Sequence, residues 1–385
     1  MLSSSAMVLM LLIGLLLTKY LLDSPARQKR SLLALIMMVT LFMGGCFTPV
    51  ATTSKPAEGG ELEVHFIDVG QGDSILIKNG EQAMLIDTGS KNSSIKLKKY
   101  LDEQGIKKLE YLVGTNPLID HIGGMSDIID NYDLSWMILP RIEGLNQTYK
   151  DLQMRLLAKH IKPIFAEPGK SYPMGDASFS LLTPSRSSYD HLADYSVVIK
   201  LEYGESSFLF CSDAGQISEQ EMLDLEFDLA ANVLKVGRHG SCSSSCETFL
   251  EAVNPDYAVI SVGQDNPYLH PHMETMLKLH DNNIPVYRTD EQGTIVAVSD
   301  GKNITFKVEP GSYTWPEIKV TEDPSQAVGD GEVIKEEDLQ KPVMVNESSN
   351  KYHERGCSFL DDKCVEITLE QAREAGYEPC LLCKP

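Results

Sequence analysis

The strongest constraint on this chain is the rhythm of its short apolar runs. "ELEVHFIDVGQGDSILIKNGEQAMLIDTG" (61–89) holds three runs that alternate apolar and polar residues, broken by turn signals at Gly70–Gly72 and at Asn79-Gly80. Period-two alternation puts apolar side chains on one face of a strand, and Asn-Gly tolerates the positive φ of a tight hairpin. A β-meander is therefore expected first. "SSIKLKKYLDEQGI" then reads as a helix stopped by Gly105, and "LEYLVGT" as a buried strand that delivers the loop "TNPLIDHIGGM" (115–125). "SDIIDNYD" and "TYKDLQMRLLAKHI" read as helices, with "SWMILP" and "PIFA" as strands. A second block of strands follows in "ASFSLLTP", "YSVVIKLEYG" and "SSFLFCSDAG". Helices and strands then alternate from "SEQEMLDLE" through "ANVLKVGRHGS" and "CETFLEAVNPDYAVISV" to "GTIVAVSDG". Two blocks of strands with helices between them predict a layered α/β sandwich rather than a doubly wound sheet.

At 385 residues the chain exceeds one ordinary core, so one large domain and something smaller are expected. The first 46 residues stand apart. "AMVLMLLIGLLLTKYLL" (6–22) is apolar but interrupted by Lys19; "ARQKR" is followed by "SLLALIMMVTLFMGGC". A basic stretch before an apolar run of about 13 residues, short of the roughly 20 that span a bilayer, has the form of an export signal. Met43-Gly44-Gly45-Cys46 resembles a bacterial lipobox, which implies lipidation of Cys46 and a flexible tether over 47–60. A two-helix membrane anchor from 6–22 and 31–46, or translation from a start codon downstream of Met1, are the other readings. On each of them the remainder is expected outside the cytoplasm, attached to the membrane. The main domain is expected over 61–316, followed by an acidic linker over 317–350 and a small module over 351–385. The formal charge of −21 makes the surface repel polyanions, so contact with nucleic acid needs a local basic group or metal ions.

Four strand-end loops carry the residue types of a hydrolytic metal site. Asp120 and His121 follow "YLVGT", Asp213 follows "SFLFCS", His239 follows "LKVGR", and His270 and His272 lie in "NPYLHPH". Three or four imidazole and carboxylate ligands hold an ion while leaving a position open for water, whose pKa then falls toward neutrality. Isolated histidines such as His65, His160, His191 and His280 are expected to be structural or on the surface.

"VHFIDVGQGDSILI", "MLIDTG", "TNPLIDHIGG", "FLFCSDAG", "LKVGRHGS", "NPYLHPH" and "VYRTDEQGTI", in this order over about 61–308, resemble the metallo-β-lactamase-fold domain of the ComEC-type DNA-internalisation competence family. The resemblance implies an αββα sandwich and metal-dependent phosphodiester hydrolysis. Its loop pattern, Thr-His-Pro-His-x-Asp-His-x-Gly-Gly, is altered here: Asn116 and Leu118 stand where two histidines belong, and Arg238 replaces the first histidine of His-His-Gly-Ser. Carried over by position, the first of two metal sites is lost. Asp120, His121 and Asp213 remain for the second, with His239 available to complete it and zinc or manganese as the ion. Asn116 is at best a weak oxygen ligand, and Arg238 would repel a cation but hold a phosphate. Asp68, Gln71 and Asp73 in "DVGQGDS" either hydrogen-bond a turn or line the site, and His270 and His272 are expected to line it. Three readings follow: a non-catalytic binder, a single-metal hydrolase and an ordinary two-metal enzyme. Cys242 and Cys246 form a disulfide, rebuild a soft metal site with His239, or are merely buried or capping; Cys211 is expected in the core.

The module over 351–385 holds four of the eight cysteines. His353-x3-Cys357 and Cys380-x2-Cys383 are spaced as two ligand pairs of a closed tetrahedral zinc site, and two disulfides among Cys357, Cys364, Cys380 and Cys383 are the alternative. "EQAREAGYEPCLLCKP" resembles the zinc-binding module of the Ada DNA-repair methyltransferase, with His353 in place of its first cysteine. Both resemblances imply DNA as the partner. From a different class, the alternative is a cell-surface interaction protein using the fold as a scaffold.

Overall fold

Alternation along single strands assigns each face of the sheets to its own core. In β1 (Leu62–Phe66), Leu62, Val64 and Phe66 point into one apolar cluster, which also receives Ile75 and Ile77 of β2 (Ile75–Asn79), while Leu76 between them faces a second cluster. The computed structural model describes residues 60–142, 146–316, 341–346, 351–353, 365–374 and 377–379. The expectations for 1–46, for Cys46 and most of the tether, and for Cys357, Cys364, Cys380 and Cys383 fall outside the described residues.

The first sheet adds β3 (Gln82–Ile86), β4 (Lys108–Val113), β5 (Asp133–Leu139) and β6 (Ile164–Phe165) to β1 and β2. The second comprises β7 (Ser171–Met174), β8 (Ala177–Leu181), β9 (Ile199–Tyr203), β10 (Ser206–Phe210), β11 (Val233–Lys235), β12 (Tyr257–Ile260) and β13 (Val286–Arg288). The chain then returns to the first sheet with β14 (Ile295–Ser299) and β15 (Ile304–Phe306), giving the orders β15-β14-β1-β2-β3-β4-β5-β6 and β13-β12-β11-β10-β9-β8-β7. The return of β14 to pair antiparallel with β1 closes the domain end to end, Phe66 opposite Ile295.

The inner faces of the two sheets share one core, in which Phe66, Ile86 and Val113 of the first meet Phe179, Phe208 and Phe210 of the second. Helices cover both outer faces. On the first, α1 (Ser94–Glu103), α2 (Ile119–Ile122), α3 (Met125–Asn131) and α4 (Gln147–Ala158) supply Leu97, Leu101, Ile122, Met125, Ile128 and Leu152. On the second, α5 (Gln216–Asp224), α6 (Glu247–Val253) and α7 (Met273–Asp281) supply Met222, Phe249, Leu250, Met276 and Leu279. This is the layered α/β sandwich that the two strand blocks predict, in the αββα form that the resemblance implies. α1 ends where expected, with Gly105 at a φ of 74° just past it.

The strands β16 (Pro342–Asn346), β17 (Lys351–His353), β18 (Val365–Thr368) and β19 (Glu378–Pro379) form a separate sheet in the order β18-β16-β17-β19, with Val343, Val345, Tyr352, Leu369 and Ala372 as its small core. His353 is buried there.

Candidate metal centre

Parallel strands present their carboxyl ends to one edge of a sheet, and the loops leaving those ends are where α/β proteins place their chemistry. β3 parallel to β4, and β10 parallel to β11, set up this arrangement in both sheets. β3 runs into Asp87, β4 into the loop bearing Asp120 and His121, β10 into Asp213 and β11 into His239. Backbone geometry at these points is unusual for side-chain-bearing residues: φ is 58° at Asp87, 51° at Ser212, 50° at Arg238 and 55° at His239. Such conformations are costly and collect at functional sites. The loop carrying Gln71 and Asp73 closes in from β1, Asp73 N–H bonding to the Asp120 carbonyl at 3.1 Å. A Cβ at Gly72 would run into that carbonyl, so only glycine fits this approach.

Both histidines are aimed by the partner of one ring nitrogen. His239 Nδ1 lies 2.8 Å from the Ser261 carbonyl, which can only accept, so Nδ1 carries the hydrogen and Nε2 faces inward. His121 Nδ1 lies 2.8 Å from Asp87 Oδ2, and its Nε2 stands 3.2 Å from Asp213 Oδ2. His239 Nε2 in turn lies 3.4 Å from Asp213 Oδ1 and 3.5 Å from Asp120 Oδ2. A carboxylate behind a ligating imidazole is a usual supporting partner in metal sites.

Three of the converging atoms, His121 Nε2, His239 Nε2 and Asp213 Oδ1, are buried without a hydrogen-bond partner. Burying such atoms unpaired is costly, so their joint convergence is the arrangement a cation would satisfy. Ligand atoms of Asp120, His121 and His239 all lie within 4.8 Å of one another. The residues present therefore fit one divalent ion, with Asp120, His121, Asp213 and His239 as its holders.

The local charge points the same way. Burial opposes a proton on His239, but Asp213, Asp120 and Asp73 outweigh it and raise the imidazole to about 9. His121 is likewise held well above its usual range, burial being outweighed by Asp213 and Asp87. Burial pushes the Asp213 carboxyl up, but His121 and His239 outweigh it and keep it ionised. With no ion, protons on the two imidazoles supply the positive charge that these carboxylates demand.

A neutral hydrogen-bond network occupies the place of the two missing histidines. Asn116, fully buried, donates from Nδ2 to Ser196 Oγ at 3.3 Å and Ser212 Oγ at 3.2 Å, and its Oδ1 accepts from Leu118 N–H at 2.9 Å. Ser212 Oγ is also 2.6 Å from Thr115 Oγ1, which donates to Asp87 at 2.6 Å. Asn116 thus serves the loop, not the cavity.

A cavity of about 260 Å³ opens above the centre, lined among others by Gln71, Leu118, Ile119, Arg238, Tyr268 and His270. Arg238 bonds Ser243 Oγ at 3.0 Å and borders the cavity beside Asp213. Gln71 accepts from Gly263 N–H at 3.1 Å and leaves its Nε2 buried and unpaired. Asp68 lies elsewhere, capping its own turn at Gly70 N–H (3.0 Å) and pairing with Lys96 (2.5 Å). His272 is held away from the cavity, Nδ1 accepting from Cys242 N–H and Nε2 contacting the Tyr268 carbonyl, both at 3.1 Å. Cys242 and Cys246 are free thiols, and Cys242 neighbours His272 and Glu274 rather than His239. Cys211 is a buried thiol in the core behind the second sheet.

Sequence reasoning assigned no role to Asp87 or Lys235. Asp87 directly follows the buried strand of "MLIDTG", where an acidic residue reads in sequence as part of an ordinary turn. Lys235 stood in an apolar strand, where a lysine is out of place unless paired.

The fold and this centre define the class. The chain belongs to the Metallo-beta-lactamase superfamily, whose sequence model matches residues 67–264. It is 32% identical over 307 residues to ComE operon protein 3 of Bacillus subtilis, an alignment covering 74% of this chain and 39% of that protein. Recombination protein 2 of Haemophilus influenzae is 30% identical over 257 residues, 65% of this chain and 30% of the relative. Competence protein ComA of Neisseria gonorrhoeae is 28% identical over 239 residues, 61% of this chain and 32% of the relative. The ComEC-type domain implied by the seven motifs agrees with these relatives, of which the chain spans two fifths or less. Among solved structures, the metallo-beta-lactamase fold protein YhfI of Bacillus subtilis aligns with a TM-score of 0.46 and 13% identity, over 63% of this chain and 100% of that one.

Proposed function

We propose that the domain is a single-metal phosphodiesterase acting on DNA outside the cytoplasm. The observation that carries this is the convergence of Asp120, His121, Asp213 and His239, with three buried unpaired atoms, under a cavity bordered by Arg238. A bound divalent ion, zinc or manganese, would supply Lewis-acid chemistry to the ester and its attacking water. The protein's own groups do the rest. Asp87 and the Ser261 carbonyl fix the two imidazoles; Arg238 binds anionic phosphate oxygens and offsets charge that develops on them. The buried Gln71 amide offers one more donor at the wall of the cavity. DNA as substrate is supported by the competence and recombination names of the relatives, and the location by the sequence before Cys46. A structural zinc in the C-terminal module, held by His353, Cys357, Cys380 and Cys383, belongs to the same proposal.

A second reading, a DNA-related binder without turnover, draws support from the neutral network at Asn116, which replaces the first metal position. The full chain incubated with manganese or zinc and either single-stranded DNA or bis(4-nitrophenyl) phosphate separates them. Cleavage that falls at least about a hundredfold in Asp213→Asn and His121→Ala supports the hydrolase. DNA binding without cleavage supports the binder. Absence of both activities leaves a surface scaffold and overturns the proposal.

A further inference from the structure

The cavity wall carries a feature that holding an ion does not require. Tyr268 stacks on His270, ring centroids 5.6 Å apart and planes at 23°, and remains 39% exposed at the rim. His270 beneath it is buried, lines the same cavity, and has an Nδ1 with no hydrogen-bond partner. Asn266, itself 7% exposed, fixes this pair in place. Its Nδ2 donates to the carbonyls of Gly263 (3.0 Å) and His270 (2.7 Å), and its Oδ1 accepts from the N–H groups of Tyr268 (3.2 Å) and His270 (3.0 Å). One side chain therefore uses its full hydrogen-bonding capacity to hold an aromatic ledge rigid. Leu118 and Ile119 line the cavity as well, Ile119 being 59% exposed, so that apolar surface and a guanidinium border one small space.

A ligand matching these walls has an anionic group for Arg238 and a flat, unsaturated ring for Tyr268. We propose that Tyr268, backed by His270, is a base-stacking seat, and that the ligand is a single-stranded nucleic acid whose phosphate lies against Arg238 while a neighbouring base stacks on the tyrosine. This rests on the phosphodiester reading above and adds the form of the substrate. A space of about 260 Å³ takes one unpaired nucleotide unit, whereas a base within a duplex is already stacked and shielded. Stacking on an aromatic ring tolerates any base, so little sequence preference is expected.

The test measures binding by the full chain in calcium, using a labelled ten-nucleotide thymidine strand and an abasic deoxyribose-phosphate strand of equal length, both recovered intact. Wild type should bind the thymidine strand about tenfold or more tighter than the abasic one. Tyr268→Ala should abolish that preference while leaving abasic affinity unchanged, which also reports an intact site, and Tyr268→Phe should keep it. Equal affinity of wild type for the two strands, or a preference that survives Tyr268→Ala, overturns the seat and leaves phosphate recognition standing. Failure of both strands to bind overturns the phosphodiester reading and the seat together.

Discussion

Lys235 and Asp73 form a buried ion pair beneath the metal centre, Nζ 2.5 Å from Oδ2, with side chains 0% and 2% exposed. Asp73 Oδ1 is also 3.4 Å from His239 Nδ1, so the pair backs one of the converging imidazoles. Burial pushes the Asp73 carboxyl up, but Lys235 and His239 outweigh it and keep it ionised.

Removing the ammonium strands that carboxylate in the interior. Lys235→Met should destabilise the domain by about 3–5 kcal/mol, because an unpaired buried charge is far costlier than an absent pair. Urea unfolding would measure the loss, and Asp73→Asn added to Lys235→Met should restore part of it. Equal stability of wild type and Lys235→Met would contradict the pairing.

Metal uptake should depend on pH in a defined direction. His239 holds its proton up to about 9 in the metal-free protein, so an incoming ion must displace it. Apparent affinity should rise as pH increases from neutrality toward about 9. Calorimetric titration with manganese in buffers of different ionisation enthalpy should show about one or two protons released near pH 7.

Asn116 should prove structural. Asn116→Ala leaves the Leu118 N–H without its acceptor and removes one hydrogen bond each from Ser196 and Ser212, and should cost about 1–3 kcal/mol in unfolding free energy. Manganese stoichiometry, read by elemental analysis, should remain that of wild type, whereas His121→Ala should lose the ion.

Away from the centre, His65 should set the acid limit of the fold. Burial dominates its environment and lowers its pKa to about 4, with Tyr100 Oη 2.7 Å from Nδ1. The folded state thus resists a proton that the unfolded chain takes up near 6.5. The stability involved is fully present above pH 6.5 and is lost as pH falls toward 4, about 3 kcal/mol in all. Denaturation midpoints of His65→Gln should fall less steeply across that window.

The sandwich was legible because its strands are short, alternating and grouped in two blocks, and Phe208 and Phe210 facing one core with Leu209 facing another is that alternation realised. The converging side chains of Asp120, His121, Asp213 and His239 were legible because each follows a strand with a recognisable ending. Their supports were not. Asp87 after a strand is indistinguishable from an ordinary turn residue until its carboxylate is seen on His121. The role of Asn116 depends on Ser196 and Ser212, 80 and 96 residues away along the chain. Asn266 likewise acts through four backbone contacts that spacing does not reveal.

The four converging residues are divided between the two sheets, Asp120 and His121 following β4 and Asp213 and His239 following β10 and β11. An ion gripping all four would work as a clasp across the sandwich, adding to the apolar seam a cohesion that scales with free metal concentration. Scarcity would then loosen the clasp and expose the polypeptide to proteases, making supply of the ion a determinant of how long each copy survives as well as of what it does.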